Sequence, residues 1–535
     1  MFLATKPLPP PASPSASDAD GRSLPSPPSA HVHRGLLLGL HAIPLLARET
    51  TACTSSFAIS GIPYLRGEQR APGERKLIQK LDFFILTFCC LMYFVNYLDR
   101  TNLNNAYVSG MREELDFKGN QLNQINTVFT VGYTIGQVPC NIALYYIKPR
   151  YFFPSCMIAW GCLTMVTAAA QKPQDIMAIR FFQAIFESST FVGTHYILGS
   201  WYTGKELGKR SGIFTASGLA GTMIGGFIQT GIHSSMNGLH GLSGWRYLFI
   251  VDGIITLPVA LYGFLLFPDT PKNTRAPYLT AQEKALAVSR VPEVSEKTPI
   301  SWNFLKYCFS TWYWYFFVIL WILAGETESF STNALLQLYM KSHPTNKYSI
   351  SQVNNYPTGV PAAGIVSTLF WATLTDYLGG KRYLVGYWIG ITGVVTSALI
   401  LAYPDSTPIH FAMYYWAGSV YACQATFFAW ANDVLRYEED SLRAVVIASM
   451  NMGSNAINAW WSIVFYGANF APYFTRGMWA MIAVSIAMAV WTGLLVWMHV
   501  RTEKRRESET EQSTVARKGR SEQDQDPETN YWAKS

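Results

Sequence analysis

The chain has 535 residues, 50% of them hydrophobic and only 14% charged, against about 25% charged in an ordinary soluble protein. With a mean hydropathy of +0.12, that balance excludes a string of soluble domains and fits a polytopic membrane protein. The net charge of +7 sits in short loops and tails, where it orients spans and gives no nucleic-acid signal.

Residues 1–80 open with a stretch rich in Pro, Ser and Ala and are expected to be a disordered cytoplasmic tail. The apolar run Gly35 to Ala47 is too short to span a bilayer. Twelve spans are then predicted, all helical, at 82–106, 122–147, 152–171, 174–202, 211–235, 246–267, 312–339, 355–377, 383–403, 408–434, 442–469 and 477–500. The class is an all-α membrane protein. Residues 81–268 form an N-terminal six-helix bundle, 269–311 a cytoplasmic central loop and 312–500 a C-terminal six-helix bundle, followed by a disordered cytoplasmic tail at 501–535. In the loop, Thr280 to Glu283 is a capping-box pattern before a short amphipathic helix, Lys284 to Val291. The two sets of six cover nearly equal lengths, which points to repeated bundles.

Loop charges give the orientation. One set of loops holds Arg70, Arg75, Lys76 and Lys80, then Lys148 and Arg150, Lys205 to Arg210, Lys272 to Lys306, Lys381 and Arg382, Arg436 and Arg443, and Arg501 to Arg506. The opposite loops carry little beyond Arg112, Lys118, Lys172, Lys341, Lys347 and Arg476. Both termini are therefore expected in the cytoplasm.

Span 1 ends in a polar run from Asn96 to Asn105, with Asp99 and Arg100 adjacent and so projecting differently. Arg100 is a fixed cation whose planar fork suits a carboxylate; an interfacial arginine snorkelling to water is the alternative. Span 4 carries Arg180, Glu187 and His195. Arg180 and Glu187 lie about 20° apart around a helix and about 10 Å apart along it, so each pairs elsewhere. A charge in hydrocarbon costs ~2.5–3.5 kcal/mol or more unless paired or wet, so this stripe lines a pathway, with Glu187 as the proton-carrying group, or forms a buried ion pair. His195 is read as a proton relay or a satisfied core histidine.

In span 7, Glu326 and Glu328 flank an interrupted helix beside Gly325. At i, i+2 at most one faces the centre; the reading leans to Glu326, with both acids extracellular as the alternative. In span 11, Asn451, Asn455 and Asn458 share one face and would read hydroxyl or amide groups of a solute, or bond neighbouring helices. Glycines from Gly212 to Gly231, including the GxxxG at Gly221 and Gly225, allow close helix packing in span 5. Asp252 in span 6 either pairs with a basic group or lies at the interface. The eight cysteines form no CxxC pair, and no HExxH or GxSxG turn appears, so neither metal, cofactor nor enzyme chemistry is expected.

The chain resembles the major facilitator superfamily, and within it the fungal anion:cation symporters related to allantoate permease, from about Leu81 to Val500. The motifs are Tyr97 to Asn102 (YLDRTN), Arg180 to Glu187 (RFFQAIFE), Gly244 to Gly253 (GWRYLFIVDG), and Pro268 to Pro271 followed by Tyr278 to Glu283. Tyr97 to Gly110 and Lys205 to Gly231 look like the fungal pantothenate transporters. The resemblance implies that Arg100, Arg180 and Glu187 contact an anionic substrate or couple protons. It makes Asp376, Lys381 and Arg382 a cytoplasmic gate. The matching loop of the first half, Tyr145 to Tyr151, has no Asp and no Gly, so that gate is held differently.

The expectation is a monomeric plasma-membrane symporter carrying a small carboxylate such as pantothenate with protons. Arg100, Arg180, Asn451, Asn455 and Glu326 would bind substrate, and Glu187 and His195 would couple protons. The alternatives are an exporter of a secondary metabolite, a symporter of another carboxylate such as nicotinate or an allantoate-like anion, and a nutrient receptor that has lost transport.

Overall fold

The computed structural model describes residues 73–290, 302–435, 438 and 440–523. Residues 1–72 of the tail expected at 1–80, loop positions 291–301, positions 436, 437 and 439, and the residues from 524 lie outside these.

Helix meets each of the twelve expected spans. Span 1 is Glu74–Glu114, span 2 Gln121–Tyr146, span 3 Pro149–Thr167, span 5 Gly204–Met236 and span 6 Gly244–Leu266. Span 4 is Pro173–Glu187 and Ser189–Trp201, broken at Ser188. Span 7 comprises Trp312–Thr327, Ser329–Thr332 and Leu335–Ser342. Span 8 comprises Ile350–Asn355 and Gly359–Tyr377, span 9 is Tyr383–Ala402, and span 10 comprises Thr407–Ala417 and Ala422–Val434. Span 11 is Asp440–Phe465 and span 12 Thr475–Gln523. Spans 3 and 4 start with Pro149 and Pro173, where a missing N–H costs nothing.

By length and apolarity alone, six described helices can cross a membrane, or seven if the bent pair Trp302–Ser310 and Trp312–Thr327 counts as one. Spans 2, 3, 4, 7, 10 and 11 are outside those six. Five of these, all but span 3, contribute polar residues to the cavities described below.

Three boundaries differ from expectation. Span 1 starts at Glu74 because Leu77, Ile78 and Leu81 make an amphipathic first turn that is buried. The tail expected to be disordered from 501 continues span 12 as helix to Gln523, a stretch rich in Glu, Lys, Arg and Gln, all good helix formers. The central loop holds a second helix, Trp302–Ser310, bent by 70° from span 7. The expected loop helix is present at Ala281–Arg290. Its capping box closes as foreseen, Thr280 N–H donating to Glu283 Oε2 at 2.9 Å and Glu283 N–H to Thr280 Oγ1 at 3.2 Å. Arg290 ties this helix to Glu74 at 2.8 Å and Glu206 at 2.7 Å.

Packing repeats between the halves. Span 1 lies on span 5, span 2 on span 4 and span 3 on span 6; the same partners recur as 7 on 11, 8 on 10 and 9 on 12. Gly221 permits the first of these, since a Cβ there would collide with the Phe94 carbonyl of span 1.

The apolar core has three parts. One, around Phe88, Trp160 and Trp201, belongs to the first half. Another, around Phe317, Phe427 and Val446, belongs to the second. The third runs through both, from Leu103, Leu122 and Trp245 to Phe330, Tyr339 and Tyr466. It sits at the end of the spans whose loops carry few basic residues, so among the described residues the core common to both halves lies at that end.

Candidate functional site

Two adjoining cavities open between the halves. The larger, of about 250 Å³, is lined by spans 1, 2, 4, 7, 10 and 11. The smaller, of about 180 Å³, is lined by spans 1, 5, 7, 8 and 10. Tyr97, Arg100, Asn104, Glu328, Thr332 and Gln424 line both, so these residues form the waist of one two-lobed chamber.

Span 1 delivers Arg100 to that waist. Its Nε donates to Glu187 Oε2 at 3.2 Å, and its guanidinium lies 4.7 Å from the Tyr133 ring centroid and 5.2 Å from that of Phe129. The aromatic faces attract the cation, and the residue lines both lobes. Glu187 is fully buried behind it, accepting also from Asn96 Nδ2 at 2.9 Å and Gln183 Nε2 at 2.8 Å. The snorkelling alternative for Arg100 does not hold, because its head points inward.

Arg180 and Glu187 make no direct bond, as their separation along span 4 dictates. Arg180 instead donates to the carbonyls of Asp99 at 3.3 Å and Arg100 at 3.1 Å, while also lining the larger lobe. It therefore anchors the backbone that carries Arg100. Asp99 itself is buried. Asp252, expected at a basic partner or the interface, is buried too and accepts from Asn102 Nδ2 at 2.6 Å. The polar run of span 1 thus faces two ways, Arg100 and Asn104 to the chamber and Asn102 to span 6.

The second half supplies the facing wall. Asn451, Asn455 and Asn458 all line the larger lobe, as their spacing predicts. The choice between the two acids of span 7 is reversed. Glu326 is 2% exposed and lines neither lobe, whereas Glu328 lines both. The physical reason is the break: the helix ends at Thr327 and a new turn starts at Ser329, so a continuous 100° rotation does not apply across the pair. Glu328 accepts from Gln424 Nε2 at 2.9 Å and from the Cys423 thiol at 3.2 Å.

His195 is placed outside the lining of both lobes. Its Nδ1 donates to the Phe191 carbonyl and its Nε2 accepts from Ser211, each at 2.9 Å. Both ring nitrogens are occupied, so the structure favours the satisfied core histidine over the relay.

Sequence reasoning missed Asn126, Thr127, Thr130 and Tyr133 in the larger lobe. Their 0, 1, 4, 7 spacing puts them on one face of span 2, a signal that was available. Gln424, one polar residue in an apolar run, was harder to single out.

At the basic-loop end, Arg382 pairs with Asp433 of span 10 at 2.6 Å, and Lys381 is exposed. Asp376 lies in the last helical turn before them, its side chain outside the described residues. The first half lacks an acid in its own loop and takes one from the segment just after span 6. Asp269 Oδ1 accepts from Arg150 N–H at 3.3 Å, and the Arg150 side chain donates to the Phe264 carbonyl at 3.1 Å.

At the opposite end polar bonds join the halves. Gln337 donates to Asn105 at 2.7 Å, Asn354 to Ser109 at 2.9 Å and Thr230 to Asn355 at 2.6 Å. Asn123 donates to the Tyr466 carbonyl at 3.0 Å and accepts from Ala468 N–H at 2.9 Å. Lys341 meets Glu113 at 3.1 Å.

Two mirrored bundles around a charged chamber define a solute carrier. The model of the Major Facilitator Superfamily matches residues 89–462. The chain is 44% identical to a pantothenate transporter, liz1, of Schizosaccharomyces pombe, over 81% of this chain and 84% of that one. It is 43% identical to the pantothenate transporter FEN2 of Saccharomyces cerevisiae, over 79% and 83%. A bacterial homologue of the human lysosomal transporter Spinster shares the fold, with a TM-score of 0.56 at 14% identity over 78% of this chain and 97% of that one.

The chain belongs to the Major Facilitator Superfamily. It is a multi-pass membrane protein that carries a small molecule across the bilayer, and it is not an enzyme.

Proposed function

We propose that this chain imports pantothenate, a small hydroxylated carboxylate, together with a proton across the plasma membrane, with both termini cytoplasmic and the monomer as the working unit. The substrate reading is supported by the two pantothenate transporters at 44% and 43% identity. The coupling reading is carried by one observation: Arg100 lines the waist of the chamber while its Nε is donated to the sealed carboxylate of Glu187.

Arg100 holds the solute carboxylate with its terminal nitrogens, a charge-assisted bond that a planar fork makes well. A solute anion competing for Arg100 leaves Glu187 to be neutralised by a proton. The anion and the proton then cross together with no net charge moved, which removes an opposing term of ~2.3 kcal/mol per charge per 100 mV. Asn451, Asn455 and Asn458 bond the amide and hydroxyls from the second half. Arg180 holds Arg100 in register, and Arg382 with Asp433 and Lys381 contributes to the cytoplasmic gate.

The basic loops are cytoplasmic in this reading. The end closed by the shared core then faces outward, and the chamber is reached from inside. Two bundles, 81–268 and 312–500, rock about it in alternating access. The test is uptake of labelled pantothenate at several external pH values, in cells that lack their own carrier and express this chain. Uptake that rises as external pH falls supports the reading; absence of uptake at every pH refutes it.

A further inference from the structure

We propose that Glu328 is the specificity element of the chamber. Its carboxylate takes the hydroxyl donor at the end of the solute remote from Arg100, and it rejects solutes bearing a second anionic group there. This rests on the carboxylate reading of the previous section and adds which solutes are refused.

Placement is the first support. Arg100 and Glu328 are the charged residues that line both lobes, one from span 1 and one from the break in span 7. A solute held by its carboxylate at Arg100 extends towards the second half, where Glu328 is the acid on the wall. Anchoring is the second. Gln424 and the Cys423 thiol, neighbours on span 10, fix one oxygen each. The Glu328 N–H is tied to the Gly325 carbonyl at 3.2 Å, and its own carbonyl accepts from Thr332 Oγ1 at 2.8 Å. A carboxylate has about four acceptor sites, so two remain for a ligand.

The third support is charge. Among the described residues, no Lys, Arg or His is within ion-pair distance of Glu328. An acid without a cation, in a chamber that otherwise attracts anions, repels a second negative group strongly where water is scarce. It meanwhile makes a charge-assisted bond with a hydroxyl. Pantothenate fits both demands, with one carboxylate, a central amide and two hydroxyls at the far end. Pantothenate phosphorylated on its terminal hydroxyl, which adds about −1.5 to −2 of charge at that end, does not.

The experiment is competition against labelled pantothenate uptake, in wild type and Glu328→Gln, using pantothenate, its terminal-deoxy analogue and its phosphorylated form. In wild type the deoxy analogue should compete about tenfold to a hundredfold more weakly than pantothenate, the size of a lost hydrogen bond to a charged group, and the phosphorylated form should not compete. In Glu328→Gln the deoxy penalty should shrink at least about threefold, and the phosphorylated form should begin to compete. An unchanged deoxy penalty together with continued exclusion of the phosphorylated form would overturn the proposal. If Glu328→Gln does not reach the membrane, Glu328→Asp serves instead. Its shorter arm should lower the deoxy penalty while exclusion of the phosphorylated form is kept, and an unchanged penalty would overturn the proposal. Wild type that takes up no pantothenate refutes the substrate reading instead.

Discussion

Arg100 does two things with one side chain. Its Nε is committed to Glu187 while the residue lines both lobes of the chamber, and three aromatic rings, of Tyr97, Phe129 and Tyr133, sit within 5.4 Å. A lysine keeps the charge but loses the fork, the second contact and the stacking geometry. We therefore expect Arg100→Lys to raise the KM for pantothenate about tenfold to a hundredfold, the range of a hydrogen bond to a charged group, at unchanged membrane abundance. Uptake kinetics with a surface blot check this, and an unaltered KM contradicts it. Side-chain direction within one helix was legible beforehand: Asn451, Asn455 and Asn458 share a lobe because 3.6 residues per turn says they must. The Glu326/Glu328 pair was not legible, since the helix stops at Thr327 and the rotation rule stops with it. His195 was undecidable from its own span, because its partner Ser211 lies on the next one.

At the scale of elements, span 5 carries two glycines with different duties. Gly221 faces the Phe94 carbonyl of span 1, inside the first half. Gly226 faces span 8 of the second half, and a Cβ there would stand 2.5 Å from the Asn354 carbonyl. The same added methyls thus test different things. Gly221→Val should lower the folded yield, because the two spans cannot separate in any state. Gly226→Val should keep the yield but oppose closure at that end. An impermeant thiol reagent added outside should then label Asn455→Cys faster in the Gly226→Val background. Equal labelling, or equal loss of yield in both variants, contradicts the assignment. Span number, order and approximate limits were legible from apolar runs and loop charges. The ends were not. Helix past 501 rests on local propensity that resembles that of a solvated tail. Asp269 serves the Arg150 loop across 119 residues, a pairing only tertiary structure reveals.

For the whole molecule, the central fact is asymmetry along the bundle axis. One apolar core joins the halves at the end with few basic loops, while separate cores serve each half elsewhere. Polar bonds such as Gln337 to Asn105 reinforce the joined end. They are individually weak, about 0.5–1.5 kcal/mol net, which suits a closure that must open in every cycle. In the proposed cycle the carrier returns unloaded only after releasing both solute and proton. Glutamine at 187 imitates the protonated acid permanently, so the loaded carrier still exchanges solute across the membrane but cannot complete a net cycle. The most direct test uses the purified chain in proteoliposomes, wild type against Glu187→Gln, with labelled pantothenate outside. An inward proton gradient should drive accumulation in wild type and not in Glu187→Gln, while vesicles preloaded with unlabelled pantothenate should exchange it through both. Equal loss of accumulation and exchange in Glu187→Gln, or gradient-driven accumulation that survives the substitution, would contradict the account.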